Sequence, residues 1–286
     1  MILGRHYAPE EGELMYHYCS ADAFLQIITS RTIWLTAHHS LNDTMERTWG
    51  YLKFKEAFNQ LGTVEKVFSD TVLKMVDLSQ QHSLLMISSF SLDPDLLSQW
   101  RAYADDGRGF AIGFSPQLMH FPAAYLRVLY DEKEQIAELL GNLKHVYQYE
   151  RSLGFKCGEE FQSHWFHFGL ALCAYKAPGF GEEKEIRLAQ IAGLIPDGKS
   201  QRIVPLGARD QDGNRTAAPG TIQFRTSKGL IIPYTAVKYC AEGATNPVRD
   251  VVLGPRNEND EHGVDIFLRT VGIADVTVRR SSVSYR

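Results

Sequence analysis

Hydrophobic and polar positions near the start of the chain repeat first with a period of two and then with a helical period. Residues 14–18 alternate as a half-buried strand does, and Ser20 is a suitable N-cap for a helix that follows. One face of this helix is apolar: Phe24, Leu25, Ile27 and Ile28. A second strand is predicted at residues 32–36, followed by a turn at residues 41–43, where Asn and Asp suit bonds to nearby amides.

Beyond this opening, helical and strand patterns occupy separate parts of the chain. Helical periodicity dominates residues 46–81, with a break at 61–63, and returns in residues 131–172; a short helix around Trp100 and another at 261–271 are also predicted. Further strands are predicted at residues 83–91, 110–114, 184–191, 203–206, 221–225, 229–239, 248–253 and 276–285. Because strands and helices do not alternate regularly, the pattern favours an α+β fold. We predict one domain, residues 1–286, with the two long helical segments as insertions.

Composition and charge narrow the range of functions. With 44% hydrophobic and 22% charged residues, the chain has the composition of a globular protein with a substantial core. The net charge of −4 means that a nucleic-acid ligand would need a local basic patch. The four cysteines form no CxxC pair, which favours buried thiols in a reducing compartment. The sequence shows neither a signal peptide nor a long apolar run, so a cytoplasmic location and no membrane partner are expected.

Residues 193–200, GLIPDGKS, satisfy the GxxxxGK[ST] pattern of a phosphate-binding P-loop. A working P-loop runs from a buried strand into a helix whose amides face the phosphates. Here the strand is predicted, but residues 201–205 lack a helical period and end at a proline. The context therefore favours a hairpin turn, with a P-loop as the alternative.

Two other patterns are better explained by packing than by ligand binding. Residues 107–113, GRGFAIG, contain closely spaced glycines, but they lead into a strand and not into a helix, so a tight turn with close backbone packing is predicted. His164 and His167 have helical spacing, but no third metal ligand is evident beside them. The sequence therefore predicts no metal site.

A more informative set of polar residues lies on two predicted strands. Alternation places His17 on the strand face opposite Tyr16 and Tyr18. On the later strand, three charged residues share one face: Glu183, Glu185 and Arg187. This face is either solvated or lines a cleft, in which one carboxylate would stabilise a developing oxocarbenium ion while the other activates an acceptor.

Several segments together resemble the bacterial domain of unknown function family 2971. They are residues 15–20 (MYHYCS), 41–46 (LNDTME), 88–91 (SSFS), 100–104 (WRAYA) leading into 109–114 (GFAIGF), Lys176, 183–187 (EKEIR), 252–255 (VLGP) and 282–286 (SVSYR). They occur in the family's order along nearly the whole chain. The family name implies no activity.

More distantly, residues 15–36 resemble the opening strand, helix and strand of the ADP-ribosyltransferase superfamily, whose His-Tyr-Glu class uses NAD as a substrate. This resemblance implies a single domain with a split, strongly twisted mixed sheet. It implies that His17 binds ribose hydroxyls of NAD, that Glu185 is the catalytic glutamate and that Glu183 assists it.

The same resemblance implies further contacts with NAD. Tyr103 or Trp100 would stack on nicotinamide, Arg187 would pair with a carboxylate or contact the diphosphate, and Lys176 is a second phosphate candidate. ADP-ribose would pass to a protein or nucleic-acid acceptor that the sequence does not identify. The resemblance also implies a bacterial toxin or anti-phage effector with an antitoxin or immunity partner.

Two other hypotheses belong to different functional classes. In the first, the chain is a non-catalytic nucleotide or nucleic-acid-binding module whose cleft recognises phosphate through Lys176, Arg187 and Arg101. In the second, it is a P-loop hydrolase that depends on Lys199.

Overall fold

The computed structural model describes residues 5–40, 46–119, 123–205, 221–227, 229–241 and 243–285. The turn predicted at residues 41–43 lies outside the described residues. The strands are β1 (Met15–Cys19), β2 (Thr32–Ala37), β3 (Leu84–Ser91), β4 (Phe110–Phe114), β5 (Ala124–Arg127), β6 (Glu185–Asp197), β7 (Ser200–Pro205), β8 (Gln223–Ser227), β9 (Leu230–Lys238), β10 (Val248–Leu253) and β11 (Thr277–Arg280). The helices are α1 (Ala21–Ser30), α2 (Glu46–Gln60), α3 (Lys66–His82), α4 (Leu97–Tyr103), α5 (Glu132–Ser152), α6 (Glu159–Ala171) and α7 (Glu261–Thr270).

The strands form a single mixed sheet. Its main order is β11-β10-β4-β1-β3-β2-β9-β8, while β6 pairs with β3 and also carries β5 and β7. The pair β10 and β11 is parallel, and the other described pairs are antiparallel. The mixed α and β architecture with a large mixed sheet is therefore as predicted.

The largest hydrophobic cluster lies on one face of the sheet, under α1 and α7. Alternation along β6 brings Ile186 and Leu188 to this cluster, and alternation along β2 brings Ile33 and Leu35. The N-cap predicted at Ser20 is present, since its hydroxyl accepts from the Ala23 amide at 3.3 Å. Helix α1 thus begins where the sequence indicates and buries its apolar stripe against the sheet.

The two helical segments pack against each other in a second hydrophobic cluster. Helix α2 packs on α5, and α3 packs on α6. The centre of this cluster is aromatic, with Phe54, Phe68, Trp165 and Phe168 fully buried. The sequence separates these segments by about 50 residues, but in the fold they form one layer. None of the described helices is both long and apolar enough to cross a bilayer.

The P-loop pattern lies on a hairpin. Strands β6 and β7 pair from Ala192↔Pro205 to Asp197↔Ser200, and Gly198 takes a positive φ of 61° in the two-residue turn between them. No helix follows Lys199, because Ser200 already belongs to β7. The prediction of a hairpin is confirmed, and the alternative that this segment forms a P-loop is wrong.

Some strand boundaries differ from the predictions. Strand β5 was not predicted, because four residues are too few to show alternation. The last strand ends at Arg280, not at residue 285. It ends there because Ser281 and Ser282 bond the carboxylate of Asp95 and turn the chain away from the sheet.

The glycines before β4 allow close backbone packing, as the sequence predicts. A Cβ on Gly109 would lie 2.0 Å from the carbonyl oxygen of Cys19, a distance that the fold cannot accommodate without moving backbone. The Gly109 carbonyl also accepts from the Gly254 amide and from the Asn257 side chain. The backbone of Gly109 therefore packs closely against β1 on one side and is hydrogen-bonded to the segment after β10 on the other.

We expect Gly109→Ala to lower the free energy of unfolding by at least about 2 kcal/mol, because the added methyl group pushes the Cys19 backbone out of register. Gly141→Ala is the control. Gly141 lies exposed inside α5 with nothing within 4 Å of an added Cβ, and its substitution should stabilise the helix by about 0.5–1 kcal/mol. Urea denaturation of the three proteins measures both changes. An unchanged midpoint for Gly109→Ala would contradict this explanation.

Candidate functional site

A gap in the pairing of β3 creates a large cleft. On one side, β3 pairs with β6 along its whole length. On the other, β2 reaches β3 at Met86 and Ile87, and β1 reaches it at Ser91. The described strands therefore leave residues 88–90 without a partner on this side. The sheet splits here, and α1 bridges the split because it connects β1 to β2.

The cleft at this split has a volume of about 740 Å³. Pockets for small ligands usually fall in the range of roughly 300–1,000 Å³. Its lining includes residues of β1, α1, β2, β3, α4, the β8–β9 hairpin and the segment around the start of β6. The polar and aromatic lining residues include His17, Ser88, Ser89, Tyr103, Glu183, Glu185, Trp34, Thr36 and Arg225.

His17 occupies the gap itself. Its Nδ1 lies 3.0 Å from the carbonyl oxygen of Ser89, which has no strand partner there to donate to it. A carbonyl accepts only, so Nδ1 carries the proton and Nε2 is left as an acceptor. Burial lowers the pKa of His17, against the opposing effect of the Ser89 bond, so the ring is neutral at pH 7. A neutral ring with an accepting Nε2 suits a ligand hydroxyl.

Glu183 and Glu185 line the opposite wall. Glu185 is the first residue of β6, but Glu183 ends a 3-10 helix (Pro178–Glu183), so the prediction that Glu183 shares the strand face is wrong. Both are buried, with exposures of 8% and 4%. Ile186 and Leu188 point to the main core, and Glu185 and Arg187 point away from it, as the predicted alternation requires. The backbone amide of Glu185 donates a hydrogen bond to the hydroxyl of Tyr130 at 3.0 Å. This hydrogen bond fixes the backbone at the start of β6.

Arg187 and Lys176 hold the Glu185 carboxylate from behind. Arg187 donates from Nε to Oε1 at 2.8 Å and from Nη2 to Oε2 at 2.9 Å, a bidentate pair, while its Nη1 donates to the Cys173 carbonyl at 2.6 Å. Lys176 donates to Glu183 at 2.6 Å and to Glu185 at 3.3 Å. Two acids and two bases thus form a buried network whose formal charges cancel.

Burial and charge act in opposite directions on this network. Burial raises the pKa of Glu185, and Lys176 and a hydrogen bond from Ser89 oppose that shift. Burial lowers the pKa of Lys176, but the two carboxylates outweigh it and hold the pKa above its ordinary value. Lys176 therefore stays charged, and with Arg187 it keeps Glu185 in one position.

These contacts place two predicted phosphate ligands away from the cleft surface. Arg187 is fully buried and Lys176 is 3% exposed, and neither lines the cleft. Of the two roles predicted for Arg187, pairing with a carboxylate is the one present. The phosphate contact predicted for Lys176 is wrong, because its ammonium group lies between Glu183 and Glu185. Arg101, the third cation of the binding-module hypothesis, lies over the ring of Tyr285.

The two aromatic candidates differ in position. Tyr103 lines the cleft at the end of α4 and is 43% exposed. Trp100 is fully buried, its ring lies 4.8 Å from that of Tyr18, and its indole nitrogen donates to Asp95 at 2.8 Å. The stacking role predicted for Trp100 is wrong for a ligand in this cleft, because Trp100 belongs to the core under α4.

One end of the cleft is not predicted from the sequence: there the side chain of Arg225, on β8, reaches residues of β2. Its guanidinium group is 5.8 Å from the ring of Trp34, and Nη2 lies 3.4 Å from the hydroxyl of Thr36. Trp34 also contacts Tyr234, with ring centroids 4.5 Å apart. Alternation along β2, with Trp34 and Thr36 opposite buried Ile33 and Leu35, was the signal that could have indicated this face.

The structure also bears on metal binding and on the state of the cysteines. Within the described ranges, no three His, Cys, Asp or Glu side chains are grouped as a metal ion requires. His167 bonds the Ser163 carbonyl at 2.7 Å within its own helix. All four cysteines are buried and reduced: Cys19, Cys157, Cys173 and Cys240.

Comparison with protein-family models gives a match over part of the chain. A sequence model of the family described as Protein of unknown function (DUF2971) matches residues 99–188. Over this segment the chain resembles that family. The segment contains α4 with Tyr103, the network of Lys176, Glu183, Glu185 and Arg187, and none of β1. The predicted family is supported there, whereas the ADP-ribosyltransferase resemblance receives no such support and stays a prediction. Neither the curated proteins nor the solved structures give a match to this chain.

We expect Arg187→Met to lower the free energy of unfolding by about 3–5 kcal/mol, because it leaves the buried Glu185 carboxylate without its bidentate partner. Adding Glu185→Gln should recover part of that loss. Urea denaturation of the single and double variants measures the coupling. Arg269→Met, which breaks an exposed pair with Asp265, is the control and should leave the midpoint near that of the wild type. Additive effects of the two network substitutions would contradict the proposed coupling.

His17 should make stability depend on pH. Its pKa is lowered in the folded chain from an ordinary value of 6.5, so the unfolded chain binds the proton more readily. The stability from neutral His17 is therefore present above pH 6.5 and is lost as pH falls below that value. Urea denaturation at about pH 5 and about pH 8 should show a larger loss for the wild type than for His17→Gln. Equal losses in the two proteins would contradict a half-buried, neutral His17.

Proposed function

We propose that this chain is an NAD-consuming, ADP-ribosyltransferase-like enzyme. The observation that carries the proposal is the cleft at the split of the sheet, which brings His17, Tyr103, Glu183 and Glu185 together from three distant parts of the sequence. A cleft of this size suits a ligand that contains a ribose, an aromatic ring and an electrophilic sugar carbon. The neutral histidine can accept a hydrogen bond from a ribose hydroxyl, the exposed tyrosine can stack on the aromatic ring, and the two carboxylates can stabilise positive charge on the sugar.

Binding in this proposal depends on His17 and Tyr103. The accepting Nε2 of His17 takes a ribose hydroxyl, and Ser89 prevents the ring from rotating by holding Nδ1. Tyr103 provides a ring at the mouth of the cleft on which nicotinamide stacks. Both interactions orient the sugar so that its anomeric carbon faces the start of β6.

The reaction breaks the bond between the nicotinamide nitrogen and the ribose carbon. The electron pair leaves with nicotinamide, which becomes neutral, and positive charge develops on the sugar ring. The acceptor then forms a bond to the same carbon and loses its proton. Glu185, fixed by Arg187 and Lys176, opposes the developing charge without having to reorganise.

Glu183 is the better candidate for receiving the acceptor's proton. Its described ionic contact is a single one, from Lys176 to Oε2, whereas both oxygens of Glu185 accept from Arg187. It is also the more exposed of the two acids. A protein or nucleic-acid acceptor, and a toxin or anti-phage role with an immunity partner, remain expectations from the resemblance.

The test is incubation of the purified chain with NAD, with free nicotinamide measured by chromatography. We expect the wild type to release nicotinamide, and Glu183→Gln and Glu185→Gln to release it at a rate at least about 100-fold lower. Glu185→Gln removes the negative charge that stabilises the positive sugar ring, and Glu183→Gln removes the group that receives the acceptor's proton. His17→Gln and Tyr103→Ala should raise the KM for NAD more than they lower kcat.

Tyr149→Ala is the matched control, since Tyr149 is an exposed tyrosine on α5 and does not line the cleft. Melting temperatures show whether each variant is folded. Absence of nicotinamide release by a folded wild type, with and without a bacterial lysate as a source of acceptors, would refute the proposal.

A further inference from the structure

Arg225 is a cation whose charge the described residues leave unpaired. Its Nε is buried and has no hydrogen-bond partner among the residues that the structure describes, and its one described side-chain bond is the weak contact with Thr36 at 3.4 Å. Trp34 supports the guanidinium group from one side. A buried guanidinium nitrogen without an acceptor is costly, so the arrangement fits a group that a ligand completes.

The cleft is electrostatically polar along its length. Among its described lining residues, the acids are Asp105, Glu183 and Glu185, and Arg225 is the one arginine or lysine. Along β3, Thr36 lies opposite Ile87 and Glu185 lies opposite Ser91. The two ends are therefore four residue steps apart, which is about 13 Å at roughly 3.3 Å per step. A ligand in this cleft therefore meets carboxylates at one end and a guanidinium group at the other.

We propose that Arg225 binds the phosphate groups of the nucleotide, with Trp34 and Thr36 as its positioning residues. The planar guanidinium group can donate two parallel hydrogen bonds to one phosphate, which is the acceptor geometry it matches best. Ser88, whose buried hydroxyl has no described partner, and Ser227 also line the cleft and add neutral donors.

The identity of the ligand rests on the proposed function, whereas the role of Arg225 rests on the geometry. In NAD the diphosphate is separated from the reacting carbon by a ribose and its methylene group. Phosphate at Arg225 therefore leaves the sugar carbon free to approach Glu185. The reverse orientation would bring the phosphates to the carboxylate oxygens of Glu183 and Glu185, which accept hydrogen bonds and have none to donate to a phosphate.

Isothermal titration calorimetry with ADP-ribose, ADP and adenosine tests this role without any chemical step. We expect the wild type to bind both phosphorylated probes. Arg225→Gln should weaken their binding about tenfold or more, Arg225→Lys should weaken it less because the charge remains, and neither should change binding of adenosine. Arg269→Gln, an exposed arginine on α7, is the control and should bind as the wild type does.

Salt provides a second measurement that needs no variant. Raising ionic strength should weaken binding of ADP-ribose to the wild type and leave adenosine unchanged. Failure of the wild type to bind ADP-ribose, or equal binding by folded Arg225→Gln, would overturn the inference.

The two proposals fail separately. Arg225-dependent binding of ADP-ribose without release of nicotinamide from NAD would sustain the phosphate site and refute the transferase. Nicotinamide release that Arg225→Gln leaves unchanged in both kcat and KM would sustain the transferase and overturn the role of Arg225.

Discussion

The candidate site depends on one constraint, the absence of a strand neighbour on one side of residues 88–90 in β3. A continuous sheet would cover this position with backbone and leave no room for a ligand. Here β1 and β2 meet β3 at different heights, so the sheet opens between them while β6 keeps β3 in place from the other side. The carbonyl of Ser89 would be unsatisfied in the gap, and His17 compensates for it. The same hydrogen bond that satisfies the Ser89 carbonyl also fixes the tautomer of His17.

The buried network behind the cleft explains why Glu185 can occupy a buried position in its wall. A buried carboxylate is costly alone, and replacing a buried ion pair with apolar residues is often neutral for stability. The network therefore contributes position more than it contributes stability. Arg187 joins Glu185 to the Cys173 carbonyl, and Lys176 follows three residues later, so the end of the helical layer orients the acids of β6. This arrangement gives the helical segments a role in the geometry of the cleft.

Sequence reasoning succeeded where local pattern decides the outcome and failed where pairing between distant strands decides it. The alternation of His17 with Tyr16, and of Glu185 with Ile186, requires only the two-residue period of a strand. Whether Arg187 faces solvent, a ligand or Glu185 depends on Cys173 and Lys176, which no spacing places beside it. Trp100 and Tyr103 share a helix, and only the packing of α4 against Tyr18 shows which of them is buried.

Arg225 was missed for the same reason, and its position changes how the cleft is understood. A lone arginine on a short, polar strand is indistinguishable in sequence from a solvated one. Pairing of β9 with β2 brings β8 alongside the cleft, and Arg225 then faces Thr36, 189 residues away in sequence. Lys176 and Arg187 are used to hold the two acids, and Lys184, between them in sequence, pairs with Asp93, so each of these cations already has a carboxylate partner. A cation from a remote strand is therefore required if the ligand is negatively charged, and separating it from Glu183 and Glu185 prevents it from being neutralised by them.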